Sequence, residues 1–380
     1  MKLYIISGEA SGDLHGANLL RAILSAYPDT EIRYWGGDRM MQAVSDTPHT
    51  GEVTMVRHIR DMAFMGFVEV LMHLKEVFGN ISLCKKDILE FNPDTVVFID
   101  YPGFNLKMAK FTHARGIRNV YYISPQIWAW KKGRIKSMRR DLDSLCYILP
   151  TERKFYAENV FPQAVYVGHP LLDEVERYRH SANVVEKKSD IVALMPGSRR
   201  HELKRLLPLM MRLAKRHPEY RFKVTGMTLI GEEFYRQFIP EGVTNVEIVF
   251  DKTYDILAKS FAAVVCSGTA TLETALFGVP QVVCYQTDKI SAAIARRLIA
   301  NRIKYVSLVN LIADKPVVCE LLQDDYNFER LEDEFWAITE DHDRRQAMID
   351  DYRNVVSELG GEGASKRVVD QIFRKEEPRQ

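Results

Sequence analysis

Three stretches of this 380-residue chain set hydroxyls, carboxylates or a guanidinium among the glycines that let a backbone close around a ligand. Ser7-Gly8-Glu9-Ala10-Ser11-Gly12-Asp13 separates a short apolar run from an amphipathic one. Its two glycines permit a tight turn, and the helix behind them offers N–H groups to an anion or a sugar hydroxyl. Glu9, Ser11, Gly12 and Asp13 are the candidates, although a plain turn capped by Asp13 or Ser11 accounts for the same letters. The spacing is not GxGxxG, so a dinucleotide fingerprint is not supported. Met195-Pro196-Gly197-Ser198-Arg199 also lies between an apolar run and an amphipathic stretch. Its amides, with Ser198 and Arg199, suit a diphosphate; the plainer reading is a turn with a surface arginine. Ser267-Gly268-Thr269-Ala270-Thr271-Leu272-Glu273 repeats the pattern. Ser267, Gly268 and Thr269 open the helix, and Glu273 sits one turn in, where a carboxylate takes both hydroxyls of a ribose; helix capping is the competing account.

Asp100 ends the apolar run VVFID. A carboxylate at a strand's carboxyl end, among apolar neighbours, is placed for general-base work with an adjustable pKa; bonding to loop amides is the structural alternative. Tyr121–Trp130 packs aromatics around Pro125 and runs into Lys131–Arg140, where six of ten residues are Lys or Arg. A basic helix is usually a solvated face. Trp128 and Trp130 just before Lys131 and Lys132 also suit an interfacial or anionic-ligand role. Met65, Phe67 and Val70 begin a helical stripe that reads either as core or as an acyl-chain face. The histidines show no metal-ligand spacing, so neither a catalytic metal nor a cofactor is expected.

The elements that position these residues follow from periodicity. Strands are expected at Leu3–Ser7, Ile32–Trp35, Thr95–Ile99, Val120–Ile123 and Leu145–Leu149, then at Ile191–Met195, Arg221–Thr225, Val246–Phe250, Ala262–Cys266 and Gln281–Tyr285. Helix-period segments lie between them, among them Leu14–Ala26, Lys107–Arg115, Glu202–His217 and Leu272–Phe277. Unbroken β-branched runs alternating with helices mean parallel sheets covered on both faces. The expected fold class is α/β, with two Rossmann-like doubly wound domains facing a cleft. The expected divisions are 1–185, 186–350 and a helical tail 351–380 that returns to the first domain or exchanges with a partner protomer as a homodimer; Leu171–Asp190 reads as a weakly structured link. A net charge of +1 gives no bulk attraction to nucleic acid. No apolar run approaches the roughly 18 residues of a membrane span, and the first residues do not form a signal peptide, so membrane contact is expected to be peripheral. Five cysteines without a close-spaced framework read as reduced thiols, hence a cytoplasmic protein.

Eight motifs, in chain order, resemble the bacterial lipid A disaccharide synthases: GEASGD at 8–13, MGFVEV at 65–70, PDTVVFIDYPGFN at 93–105, YYISPQIWAW at 121–130, VGHP at 167–170, MPGSR at 195–199, SGTATLE at 267–273 and KYVSLVNL at 304–311. The resemblance implies a GT-B glycosyltransferase. It would join UDP-2,3-diacylglucosamine to 2,3-diacylglucosamine 1-phosphate (lipid X), giving the β-1,6 disaccharide 1-phosphate and UDP at the inner-membrane surface. It makes Asp100 the essential aspartate. Arg199, Ser198, Ser267, Gly268, Thr269, Glu273 and Asn310 fall on the UDP-sugar side, and Glu9, Ser11, Gly12 and Asp13 on the first-domain loop. Gly103 stands where a second acidic residue is expected, and Gln286 where a basic residue is common. A sugar-nucleotide 2-epimerase and a non-catalytic nucleotide-sugar sensor are the competing readings.

Overall fold

The computed structural model describes residues 1–62, 74–125, 132–181, 190–288 and 304–374. Met65, Phe67, Val70, Trp128, Trp130 and Lys131 lie outside them. Lys132 opens a short 3-10 turn, Lys132–Arg134. The chain forms two units, Met1–Asp173 with Glu362–Gln380, and Glu174–Gly361.

The first unit is built on β1 (Lys2–Ser7), β2 (Glu31–Gly36), β3 (Val53–His58), β4 (Thr95–Ile99), β5 (Arg118–Tyr122), β6 (Ser144–Tyr147) and β7 (Ala164–Tyr166). Described residues give a parallel sheet in the order β3-β2-β1-β4-β5-β6-β7. Every residue of β4 is buried, as a strand covered on both faces requires. Tyr4, Trp35, Phe98, Phe104, Met108 and Tyr121 fill one side, and Trp35 Nε1 donates to Tyr4 Oη at 2.7 Å, so the buried ring leaves no polar atom unpaired. Truncating an aliphatic residue in such a core to alanine typically costs about 2–5 kcal/mol.

The second unit carries β8 (Ile191–Met195), β9 (Arg221–Gly226), β10 (Val246–Phe250), β11 (Ala262–Cys266), β12 (Gln281–Tyr285) and β13 (Cys319–Leu322). Its described residues form a parallel sheet in the order β10-β9-β8-β11-β12-β13. Both sheets are therefore doubly wound. Each reverses its winding at one place, between β1 and β4 in the first unit and between β8 and β11 in the second. In open α/β sheets such reversals are where loops part at the carboxyl ends of the strands and ligands bind. Ser7 pairs with Ile99 across the first reversal, and Met195 with Val265 across the second. All the turns singled out by residue type leave these four strands.

Two expectations need correction. Leu171–Asp190 is not a loose link at its start: Pro170–Ser181 is a helix, and the division between units falls inside it, at 173/174. A charged sequence had concealed the apolar side that buries Leu171, Leu172 and Val175. The tail likewise begins at 362 and not at 351. Tyr352, Val355 and Leu359 are buried in the second unit, where Tyr352 Oη accepts from Gln281 Nε2 at 3.2 Å.

The helix Ala364–Phe373 closes on its own chain. It packs against the helix Ala10–Ala26, Phe373 stacks on Tyr27 with centroids 3.7 Å apart, and Arg118 donates to the carbonyls of Gln371 and Ile372. Its amino terminus is capped by Asp173, whose carboxylate accepts from the amides of Gly363 (2.6 Å), Ala364 (3.3 Å) and Ser365 (3.0 Å).

Candidate functional site

In the first unit the turn after β4 is held in an uncommon shape. Asp100 and Tyr101 have φ of 45° and 48°, two consecutive left-handed residues that are not glycine. Each such residue costs about 1–3 kcal/mol and persists only where its surroundings over-determine it. Here the amide of Asp100 donates to the Tyr122 carbonyl at 3.0 Å. Its own carbonyl accepts from Tyr121 Oη at 2.5 Å and from the buried Asn105 Nδ2 at 2.8 Å. The Tyr101 ring lies flat against Gly8, where a Cβ would sit 2.2 Å from its Cδ1. Gly8 is thus required by close approach from the neighbouring turn. The helix Pro102–His113 then begins with Pro102 in its first turn, where a missing N–H costs nothing.

These constraints fix the Asp100 carboxyl at the mouth of the sheet. Burial, and secondarily the negative charge of Glu9, push it up to about 6. A carboxylate so poised is an effective proton acceptor near neutral pH. A Cβ on Gly103 would meet no atom within 4 Å, so the space for a second carboxylate exists and is not used.

The loop after β1 divides its residues. Glu9 is half-buried and precedes the helix without a side-chain cap, while Ser11 is exposed and Gly12 buried. Asp13 is not a cleft residue: it is 4% exposed, and its carboxylate accepts from the amides of Gly37 (2.6 Å), Arg39 (3.0 Å) and Met40 (3.1 Å). It caps the helix Asp38–Asp46, a partner 24 residues away that no local pattern announces. His169 of the VGHP motif is a buried ring held down to about 3 by desolvation and then by His15, and its Nδ1 accepts from the Leu171 amide. All five cysteines are free thiols.

In the second unit the two turns at the reversal differ. After β8 the amides of Ser198 (3.0 Å) and Arg199 (3.2 Å) donate to Glu202 Oε2 at the start of the helix Arg200–Arg216. The expected amide cradle is therefore already filled by the protein's own carboxylate. Ser198 and Arg199 remain exposed, and the guanidinium lies 3.7 Å from Glu202 Oε1. After β11, by contrast, the helix Thr269–Leu276 starts from Gly268 with no side-chain cap. Gly268 has φ 145° and ψ −158°, a conformation side chains rarely adopt, and Gly268 and Thr269 are exposed. Such an amino terminus attracts an anion through its free donors and the helix dipole. Glu273, one turn on and half-buried, accepts from Tyr254 Oη at 3.0 Å.

Asn310 was expected on the sugar side. It is 1% exposed, its Oδ1 accepts from the Val318 amide at 2.9 Å, and its Nδ2 donates to the Val318 carbonyl and to Glu320 Oε1, each at 2.9 Å. With both ends of its amide engaged, it braces the loop that precedes it. Gln286 donates to the Gln323 carbonyl at 3.4 Å, so this departure from the motif is absorbed internally. Sequence reasoning missed Glu202, Glu320 and Asp173, which accept from backbone amides, and Tyr101, whose ring packs on Gly8.

The chain is similar to known proteins along almost its whole length. The family profile described as Lipid-A-disaccharide synthetase matches residues 3–373. A protein of Syntrophus aciditrophicus named lipid-A-disaccharide synthase is 37% identical over 373 residues, covering 96% of this chain and 94% of its own. Among solved structures, the UDP-GlcNAc 2-epimerase of Neisseria meningitidis bound to UDP-GlcNAc superposes with a TM-score of 0.66 at 14% identity, covering 99% of this chain and 100% of that one. The glycosyltransferase of kitacinnamycin gives 0.65 at 14%, with 98% of each chain covered. At these identities the likeness shows the fold.

Proposed function

Since this chain belongs to the lipid-A-disaccharide synthetase family, we propose that it joins UDP-2,3-diacylglucosamine to 2,3-diacylglucosamine 1-phosphate. The products are the β-1,6-linked disaccharide 1-phosphate and UDP. The acceptor's 6-hydroxyl attacks C1 of the α-linked donor. One in-line displacement forms the new C–O bond as the bond to the diphosphate breaks, and the anomeric centre inverts. Asp100 accepts the hydroxyl proton. The observation that carries this assignment is a carboxylate held near pH 6 on a strained, over-determined turn at the sheet reversal.

The donor nucleotide is assigned to the second unit. Its diphosphate meets the uncapped amides from Gly268 to Ala270, and Glu273 takes the ribose hydroxyls. Arg199 adds a charge-assisted contact that strengthens as negative charge grows on the departing UDP. Ser198 flanks these groups as a hydroxyl donor, while Ser267, whose hydroxyl donates to the Val306 carbonyl, shapes the turn. Glu9, Ser11 and Gly12 line the acceptor side, Glu9 through its charge. The transition state is oxocarbenium-like, as in glycoside hydrolysis.

Both substrates carry acyl chains, so the enzyme works at the cytoplasmic surface of the inner membrane as a peripheral protein. Among the described residues no helix is long and apolar enough to cross a membrane. Exposed Phe78 on the helix Leu74–Phe91, and exposed Lys136, Arg139 and Arg140 on Ile135–Asp141, suit that contact. The Trp128, Trp130, Lys131 and Lys132 segment and Met65, Phe67 and Val70 complete the assignment.

The test is a mixed-micelle reaction containing both substrates, with product followed by mass spectrometry. Disaccharide 1-phosphate together with UDP is the expected result. Donor left unconsumed by folded protein would defeat the proposal, and a new epimeric UDP-sugar would replace it with the epimerase reading.

A further inference from the structure

Glu320 stands on β13, the edge strand of the second sheet, outside every signature motif. Its carboxylate is where three N–H groups of the preceding loop converge. The amide of Val306 donates to both oxygens (3.1 and 3.0 Å), the amide of Ser307 to Oε1 (2.8 Å), and Asn310 Nδ2 to Oε1 (2.9 Å). Carboxylate acceptors make such bonds short and about twice as strong as neutral ones.

The loop pinned in this way holds the uncapped turn after β11 from behind. Ser267 Oγ donates to the carbonyl of Val306, so that one residue is fixed through its N–H by Glu320 and through its C=O by the nucleotide turn. Two residues on, the Leu308 amide donates to Thr271 Oγ1 at 3.3 Å, and this fully buried hydroxyl in turn donates to the carbonyl of Gly268 at 2.8 Å. Two independent routes thus run from the Glu320 carboxylate to the turn, one ending on Ser267 and the other on Gly268. Ser307 also caps the helix Leu308–Ala313 by accepting from the Asn310 amide, which keeps the loop from sliding along the route.

We propose that Glu320 is a positioning residue for the donor. It sets the loop 304–310 so that Ser267 and the Gly268 amino terminus are already shaped for a nucleoside diphosphate before one binds. The inference rests on the reading that the second unit holds the UDP moiety. Without the carboxylate the loop loses three acceptor contacts at once, and the nucleotide must supply the ordering that Glu320 otherwise provides.

Calorimetric titration with UDP, beside donor and acceptor kinetics, tests this on the full chain with Glu320→Ala and Glu320→Gln. Glu320→Ala is expected to weaken UDP binding by about 10–100-fold and to raise the donor KM in parallel. The acceptor KM, and kcat at saturating donor, should stay within about threefold, the signature of lost binding that is uniform along the reaction. Glu320→Gln keeps an acceptor oxygen toward Ser307 and Asn310 but turns an amide N–H toward Val306, so a loss of about 3–10-fold is expected, partial rescue by the nearer analogue. A lower melting temperature with UDP affinity and donor KM unchanged would reduce Glu320 to a structural brace and overturn the proposal. Should Glu320→Ala fail to fold, unchanged UDP affinity in Glu320→Gln overturns it equally. If the unsubstituted protein does not bind UDP, the donor-site reading itself falls and the proposal falls with it.

Discussion

The turn after β4 and the turn after β11 leave equivalent places in their two sheets and are built in opposite ways. Around Asp100 everything is crowded: a ring lies on Gly8, two side chains hold one carbonyl, and the half-buried carboxyl is partly desolvated. Around Gly268 there is room, and a Cβ there would meet nothing within 4 Å. A group that must take a proton at one point benefits from a dry, immobile setting, because reorganisation is then complete before reaction. A group that must receive a large anion needs its donors left unspent. The turn after β8 reinforces the contrast, since Glu202 has already taken the donors there.

If the contrast is right, damage to the first turn should slow chemistry and spare UDP binding, and damage to the second should do the reverse. The largest effect is expected from Asp100→Asn, which keeps the shape and removes the base: turnover falls by about 10²–10⁴-fold with UDP affinity intact by calorimetry. Turnover within a few-fold of normal would strip Asp100 of its role. Gly8→Ala forces the Tyr101 ring aside and should cost about 1–3 kcal/mol in denaturant melts, with turnover lower by about tenfold or more. A fall in UDP affinity as large as the fall in turnover would break the separation. Gly268→Ala places a side chain in a conformation open chiefly to glycine, at about 1–3 kcal/mol. We expect UDP affinity to drop about tenfold or more, while kcat at saturating donor changes little.

The smallest effect concerns pH. With the Asp100 carboxyl near 6, kcat/KM should rise through about pH 6 as the base deprotonates and flatten above it. Removing the like charge by Glu9→Gln makes the carboxylate easier to form, so the midpoint of that limb should move down but stay above the ordinary carboxylate range, because burial is the larger cause. A midpoint that stays put removes Glu9 from the coupling.

How much of this was legible in the sequence depended on burial. The interior strands were visible as apolar runs because both of their faces are covered. Val53–His58, Ala164–Tyr166 and Cys319–Leu322 were missed, and all three are edge strands with mostly half-buried residues and no continuous apolar signal. The fourth edge strand, Val246–Phe250, was readable because four of its five residues, VEIVF, are apolar. Helices begin earlier than periodicity indicates: Ala10 against Leu14, Pro102 against Lys107, and Thr269 against Leu272. Their first turns carry Gly, Ser, Thr or Pro, residues that serve the site and blur the helical pattern. The turns that form the candidate site were likewise legible from residue type. The acids that hold the second unit's turns in shape were not, because Glu202 and Glu320 bond to backbone amides, and backbone partners leave no trace in side-chain spacing; Asp13 was read as a cap of its own helix, whereas it caps Asp38–Asp46.

Asp173 has one further consequence, and it concerns time. It ends the first unit and caps the helix that resumes that unit, with Gly363 190 positions further along the chain. At about 5–20 residues per second, a ribosome needs roughly ten to forty seconds to make the stretch between them. During that interval the first sheet has been delivered while the helix Ala10–Ala26 lacks its cover from Ala364–Phe373. The domain begun first is therefore the last to be finished. A chain released before residue 362 leaves that apolar surface bare, which marks truncated products for capture by chaperones or for aggregation.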